Sequence, residues 1–390
     1  MFDTIGKMSH SLGLSHYHIP RMQEMGRLYW CHSVGIFGIQ LAAIFVPIYL
    51  LKIDYSFKEV LVFLLTQQLF AAILQYPITK LFALVSPHYL LGFGRIWLAV
   101  FFFLLSTLQI YNWPLFILAF FWALDRTMYW TAFHYVFGKA RAHKTGNRQI
   151  AGINALAILA ATVAPAVGGI VASSRGINYV YIISILLIIT ASLPIMFIAD
   201  KLPKVKLNIT KKLIKNTGRD LAANAFNGTV IVAEQSLWPI FVFLIVSSYA
   251  GIGILSSVIA IASAWAMIYV GKKEETKGER FFIGHGVTAY GIVSFIRTFA
   301  ENAIHVFGLN LFAGIGRSLY VTPFMNRYYT NSDSGQRLSY IMVMETAFSI
   351  GSLTLLLILI MLLSIFTIKT VLSIGLVSVA FLVLGVRLIR

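Results

Sequence analysis

The chain has 390 residues, of which 58% are apolar, 14% aromatic and only 12% charged, and its formal net charge is +17. A soluble core cannot hide that much Phe, Leu and Ile, so the class is an all-α polytopic membrane protein. The apolar runs are continuous over about 20 residues rather than alternating, which excludes an outer-membrane barrel. The one cysteine, Cys31, leaves no intrachain disulfide and no thiolate metal cluster.

Residues 1–27 are polar, include His10, His16 and His18, and carry no cleavable signal pattern. They are expected to form a cytoplasmic tail lying on the membrane surface. Twelve apolar stretches follow, near 28–50, 57–79, 93–110, 114–137, 149–172, 177–198, 219–247, 250–271, 281–300, 303–325, 339–363 and 366–388. A polar connection over 199–218 separates the first six from the last six, so the expected bundles are 28–198 and 219–390. The sequon Asn208-Ile-Thr210 falls in this connection, on the side expected to be cytoplasmic and unglycosylated.

The cations are distributed unevenly over this layout. Twenty-four Lys and Arg, Lys80 and Arg95 among them, fall in the segments on the side of the termini and the central connection. Only Lys52, Lys58, Arg175 and Lys369 fall on the other side, and Arg126, Arg297 and Arg317 lie within spans. The bias orients both termini to the cytoplasm of a cytoplasmic or plasma membrane. It also assigns the basic charge to topology and attraction to anionic lipid. No recognition module accompanies the charge, so nucleic acid is not an expected partner.

One phrase occurs twice. Arg126-Thr-Met-Tyr-Trp-Thr-Ala-Phe-His134 in span 4 returns as Arg317-Ser-Leu-Tyr-Val-Thr-Pro-Phe-Met325 in span 10, 191 positions later. Gly26-Arg27 and Pro47 in span 1 match Gly218-Arg219 and Pro239 in span 7 at an offset of 192. Gly92-Phe-Gly94 matches Gly284-His-Gly286 at the same offset, and Gly146-Asn-Arg148 matches Gly335-Gln-Arg337 at 189. Landmarks in one order at a nearly constant offset predict two parallel six-helix pseudo-repeats, related by an axis along the membrane normal.

Span 5 carries Arg148-Gln-Ile-Ala-Gly152 and then Ala164-Pro165-Ala-Val-Gly168-Gly169. This is similar to the R-x-x-x-G … G-P-x-x-G-G element of the major facilitator superfamily of secondary transporters, with Ala164 in place of the first glycine. Together with the duplication, the chain resembles that superfamily over nearly its whole length. Between spans 2 and 3, residues 80–95 lack the acid of the family's Gly-x-x-x-Asp-Arg-x-Gly-Arg-type loop. The counterpart at 271–280 keeps acids beside bases.

The resemblance implies alternating access around a central path lined by spans 1, 4, 7 and 10. Arg126 and Arg317 would then face that path from opposite halves, each about 12 residues, near 1.5 Å apiece, from the outer end of its span and so close to the midplane. A charge at that depth is costly, and a guanidinium fork suits a carboxylate or phosphate. Two readings fit the pair. The arginines bind an anionic solute, or they balance the three intramembrane acids Asp125, Glu234 and Glu345. Tyr129, Tyr320, Trp130, Asn154, Asn227 and Gln40 are candidate wall residues. Glu234 has only Ala42 as its counterpart in span 1, and as an acid without a partner it is the leading candidate for proton coupling, ahead of Asp125 and Glu345. His134, two turns from Arg126, is a candidate relay or a hydrogen-bonded helix-end histidine.

The expected function is secondary active transport of a small solute, an organic anion in one version, with a proton as coupling ion. A proton-coupled exporter of lipophilic or cationic compounds is the alternative within transport. A membrane-embedded lipid-modifying enzyme is the alternative outside it, but no phosphate loop, metal-ligand spacing or Gly-x-Ser-x-Gly supports that reading. No cofactor or metal is expected, membrane lipid is, and the unit is expected to be a monomer.

Overall fold

The computed structural model describes residues 18–141, 146–197, 207–333 and 336–389; for residues 18–25, 28–29, 140–141, 146–159, 161, 271–272 and 274–275 it describes the backbone alone. His10, His16, the first part of the 199–218 connection and the Asn154 side chain therefore lie outside the described residues.

In chain order the helices are α1 (His18–Ala42), α2 (Val46–Lys52), α3 (Phe57–Leu81), α4 (Pro87–Ser106), α5 (Leu108–Tyr111), α6 (Leu115–Arg141), α7 (Gly146–Arg175) and α8 (Ile177–Met196). They continue with α9 (Lys211–Asn216), α10 (Gly218–Val232), α11 (Trp238–Val246), α12 (Tyr249–Lys277), α13 (Glu279–Ile296), α14 (Ala303–Ser332), α15 (Arg337–Leu362) and α16 (Ile368–Leu382). No strand occurs among the described residues. Nine segments among them, from Trp30–Lys52 to Ile368–Leu388, are long and apolar enough to cross a bilayer. The protein is an all-α integral membrane protein.

Local chemistry sets the helix starts. Ser56 Oγ accepts from the Glu59 amide at 3.2 Å while Glu59 Oε2 accepts from the Ser56 amide at 2.8 Å, a capping box that opens α3. Ser86 caps α4, whose first residue is Pro87. Proline suits that position because the first-turn amide has no helical partner to lose. Span 3 therefore begins six residues before the expected 93, and Gly92, Gly94 and Arg95 lie inside the helix rather than in a loop.

Two helices break in mid-course at matching places. A 3₁₀ turn at Ala43–Phe45 separates α1 from α2 just before Pro47, and a π turn at Ala233–Leu237 separates α10 from α11 just before Pro239. Each proline removes an amide and crowds the carbonyl four residues back, so the regular ladder cannot pass through it.

The helices pair in a pattern that recurs. In the first half α1 packs on α7 and α8, α4 on α6 and α8, and α3 on α6. In the second half α10 packs on α15 and on the turn that ends α16, α13 on α14 and α16, and α12 on α14. The most extensive pairings between the halves are α7 with α12 and α3 with α15, and α6 also meets α14 and α15, and α2 meets α11. At the first of these, a Cβ on Gly169 would stand 2.3 Å from the Tyr249 carbonyl oxygen, and one on Gly253 would stand 2.1 Å from that of Pro165. Only glycine allows backbones that close.

Burial is reversed relative to a soluble protein. Trp265, Phe312 and Phe381 are 72%, 63% and 67% exposed, while Arg95 and Arg297 are each 1% exposed. Apolar side chains face outward, where lipid would solvate them, and the polar chemistry sits at the centre.

Candidate functional site: a charged cavity between the halves

A cavity of about 420 Å³ lies between the two halves, walled by α1, α3, α4, α6 and α7 on one side and by α10, the π turn, α12 and α14 on the other. Its polar lining includes Gln40, Gln67, Gln68, Gln235 and Ser236, and its aromatic lining Phe102, Trp122 and Trp130. Five charged residues reach it: Arg95, Asp125, Arg126, Glu234 and Arg317. Helix breaks at the two prolines bring Gln40 and Ala43 from one half, and Glu234 to Ser236 from the other, to its wall.

In the first half, Arg95 Nη1 donates to Asp125 Oδ1 at 3.0 Å and to Oδ2 at 3.3 Å. Its guanidinium lies 3.2 Å above the centre of the Tyr129 ring, and the Tyr129 hydroxyl is 2.8 Å from His32 Nδ1. Counted as a loop cation in the sequence, Arg95 is one of the most buried side chains of the chain. The signal that would have found it was present: Ser86-Pro87 is a helix start, which places residue 95 two turns inside.

The second half builds a different cluster. The π turn carries Glu234, which takes two hydrogen bonds from Arg297, Nη1 to Oε2 at 2.6 Å and Nη2 to Oε1 at 3.1 Å. The Tyr290 hydroxyl also donates to Oε2. Arg297 stacks 4.4 Å from the Trp238 ring centre, and Trp238 Nε1 donates to Asn310 Oδ1 at 2.9 Å. The expectation that Glu234 lacks a partner is thus corrected. A bidentate fork with further donors is the geometry in which a buried carboxylate is held as a charged pair. Nothing local in the sequence shows it, because Glu234 and Arg297 are 63 residues apart.

Glu345 of α15 joins the halves. Arg126 Nη2 approaches its Oε2 at 3.8 Å and His134 Nε2 its Oε1 at 3.5 Å. The guanidinium of Arg126 also lies 4.1 Å from the Phe348 ring centre. His134 shares a second contact across the halves, a hydrogen bond of 2.7 Å between its Nδ1 and the Tyr329 hydroxyl.

That leaves Arg317. It lines the cavity, comes close enough to Glu234 to interact electrostatically, and makes no hydrogen bond or ion pair among the described residues. Among the described residues the cavity therefore holds three arginine–acid pairs at its edge and one cation over.

The other sequence candidates separate by position. Gln40 and Trp130 line the cavity, whereas Tyr129, Tyr320 and Asn227 do not. Tyr129 packs on Arg95. Tyr320 packs on Tyr290 at 6.0 Å, with its hydroxyl unpartnered among the described residues. Asn227, on α10, has a buried Oδ1 with no partner among the described residues. Gln67, Gln68 and Gln235, which also line the cavity, were missed because amides on an apolar helix look the same in sequence whichever way they face. No three His, Cys, Asp or Glu side chains converge as a metal site would need among the described residues. The sequence matches no protein-family model and no curated protein.

Proposed function

We propose that this protein is a secondary transporter of the major facilitator type, which carries a small organic anion through the central cavity by alternating access. The observation that carries this reading is Arg317, an arginine with no acid partner among the described residues, on the wall of a cavity between two bundles. An always-charged fork at that depth is costly unless something anionic meets it. The net charge of the lining favours an anion over a cation. Asp125 and Glu234, the acids a cationic solute would need, are each already engaged by an arginine.

In this reading α6, α7 and α13 cross the membrane together with the nine apolar segments, which makes twelve crossings in two parallel repeats. Support comes from the matching pairings of the helices, from the breaks before Pro47 and Pro239, and from one contact made twice. A Cβ on Gly94 would stand 2.9 Å from the Tyr129 amide nitrogen, and one on Gly286 would stand 2.6 Å from that of Tyr320. Both termini face the cytoplasm by the distribution of cations, and one chain suffices for the path. Glu345 is the preferred site of proton coupling, because it is held at 3.5–3.8 Å by groups from the opposite half while Glu234 takes three hydrogen bonds from Arg297 and Tyr290.

The test is counterflow of labelled mono- and dicarboxylates into proteoliposomes. Accumulation of at least one anion is expected, with flux reduced about a hundredfold in Arg317→Ala and partly retained in Arg317→Lys, the scale of losing one charge-assisted contact. Undiminished flux in Arg317→Ala refutes the anion reading.

A further inference from the structure

A second, larger cleft of about 1000 Å³ opens on the outer surface of the second half, away from the central cavity. Four arginines line it: Arg219 at the start of α10, Arg280 at the start of α13, Arg327 near the end of α14, and Arg387 beyond α16. Two are already engaged. Arg327 Nε donates to Glu279 Oε2 at 2.7 Å, and Arg387 Nη2 donates to the Gly284 carbonyl at 2.8 Å and to Thr288 Oγ1. Arg219 and Arg280 are exposed and make no hydrogen bond or ion pair among the described residues. With Glu279 counted, the rim keeps an excess of three positive charges.

The other end of the cleft is apolar. It reaches Ile292, which is 56% exposed and lies twelve residues along α13 from Arg280, about 18 Å at the helical rise. Leu319 of α14, packed beside Gly286 of α13, also lines the cleft. A small inorganic anion would use the arginines and leave this wall idle. An amphiphile with a phosphate at one end and a hydrocarbon chain at the other uses both.

We propose that this cleft binds an anionic phospholipid, with the phosphate between Arg219 and Arg280 and an acyl chain laid along Ile292. Engaged guanidiniums at Arg327 and Arg387 fix the cleft walls, and the two unengaged ones take the headgroup. The site is independent of the solute path, since no residue is shared by the two cavities.

Native mass spectrometry of the full chain in neutral detergent tests it, with phosphatidylglycerol, phosphatidylcholine and soluble glycerol phosphate as probes. Phosphatidylglycerol is expected to bind with defined stoichiometry and to weaken about thirtyfold in R219Q/R280Q, from two basic contacts to an anionic headgroup. The control K211Q/K212Q, which removes two charges from the neighbouring α9, is expected to bind as the unaltered chain does. Equal weakening in that control means a diffuse field and overturns the proposal. So does equal binding of phosphatidylcholine, which would make the chains alone sufficient, or displacement by glycerol phosphate, which would make it a free-phosphate site. If R219Q/R280Q is not monodisperse, R219Q and R280Q singly must each weaken phosphatidylglycerol about fivefold, and unchanged binding in both refutes the site.

Discussion

Arg297 and Arg317 stand on consecutive helical segments, yet their removal should have opposite consequences. Arg297 is the partner of a buried carboxylate, so Arg297→Met strands Glu234 and should destabilise the fold by about 3–5 kcal/mol. The double variant Arg297→Met with Glu234→Leu removes both charges and should recover most of that loss, since a buried pair is often replaceable by apolar packing. Arg317→Ala breaks no ion pair or hydrogen bond among the described residues and should change stability by about 1 kcal/mol or less. Thermal unfolding in detergent separates the cases. A double variant no more stable than Arg297→Met alone would mean that Trp238 and Asn310, not Glu234, are what Arg297 supports.

At the scale of elements, the Gly-x-Gly pairs offer a sharper contrast than any charged residue. A Cβ on Gly286 meets the backbone of Tyr320 at 2.6 Å, while nothing lies within 4 Å of one on Gly284. Gly286→Ala must push α13 from α14 and should cost about 1–3 kcal/mol. Gly284→Ala should be neutral or stabilising by up to about 1 kcal/mol, because alanine is the better helix former. Equal thermal shifts for the two would mean that α13 and α14 are not held at this separation. The glycines, prolines and repeated Arg-x-x-Tyr phrase were legible in the sequence because they act on backbone geometry, which leaves a fixed spacing. Helix ends are legible in cap chemistry rather than in apolar runs, and leaving Ser86-Pro87 unread misplaced Arg95 by two turns. The charged partners were not legible. Arg95–Asp125 and Glu234–Arg297 join different helices, and the halves solve the problem differently, so no internal repeat reports them.

For the whole molecule, the two halves touch through contacts of unequal strength at different levels. Near one end, Lys52 lies 4.0 Å over the ring of Tyr249, and Phe45 meets the same ring edge-on at 5.5 Å. Toward the other, Arg126 and His134 of α6 reach Glu345 of α15, and His134 reaches Tyr329 of α14. In the proposed transport cycle, rocking of one bundle against the other must break one set while keeping the other. The Arg126–Glu345 contact is 3.8 Å long, beyond hydrogen-bond distance, so it is worth about 1 kcal/mol rather than the several of a tight buried pair. Glu345→Gln should therefore shift the balance between the two openings by about fivefold toward the state in which α6 and α15 separate. Spin labels at Lys139 and Asp333, exposed positions on α6 and just beyond α14, would read this as growth of a longer-distance population at the expense of a shorter one. Lys52→Gln, on the other closure, should move the same distribution the opposite way. If both variants move it in one direction, the two contacts do not close alternate faces, and the rocking of two rigid bundles around the central cavity is the wrong description of this chain.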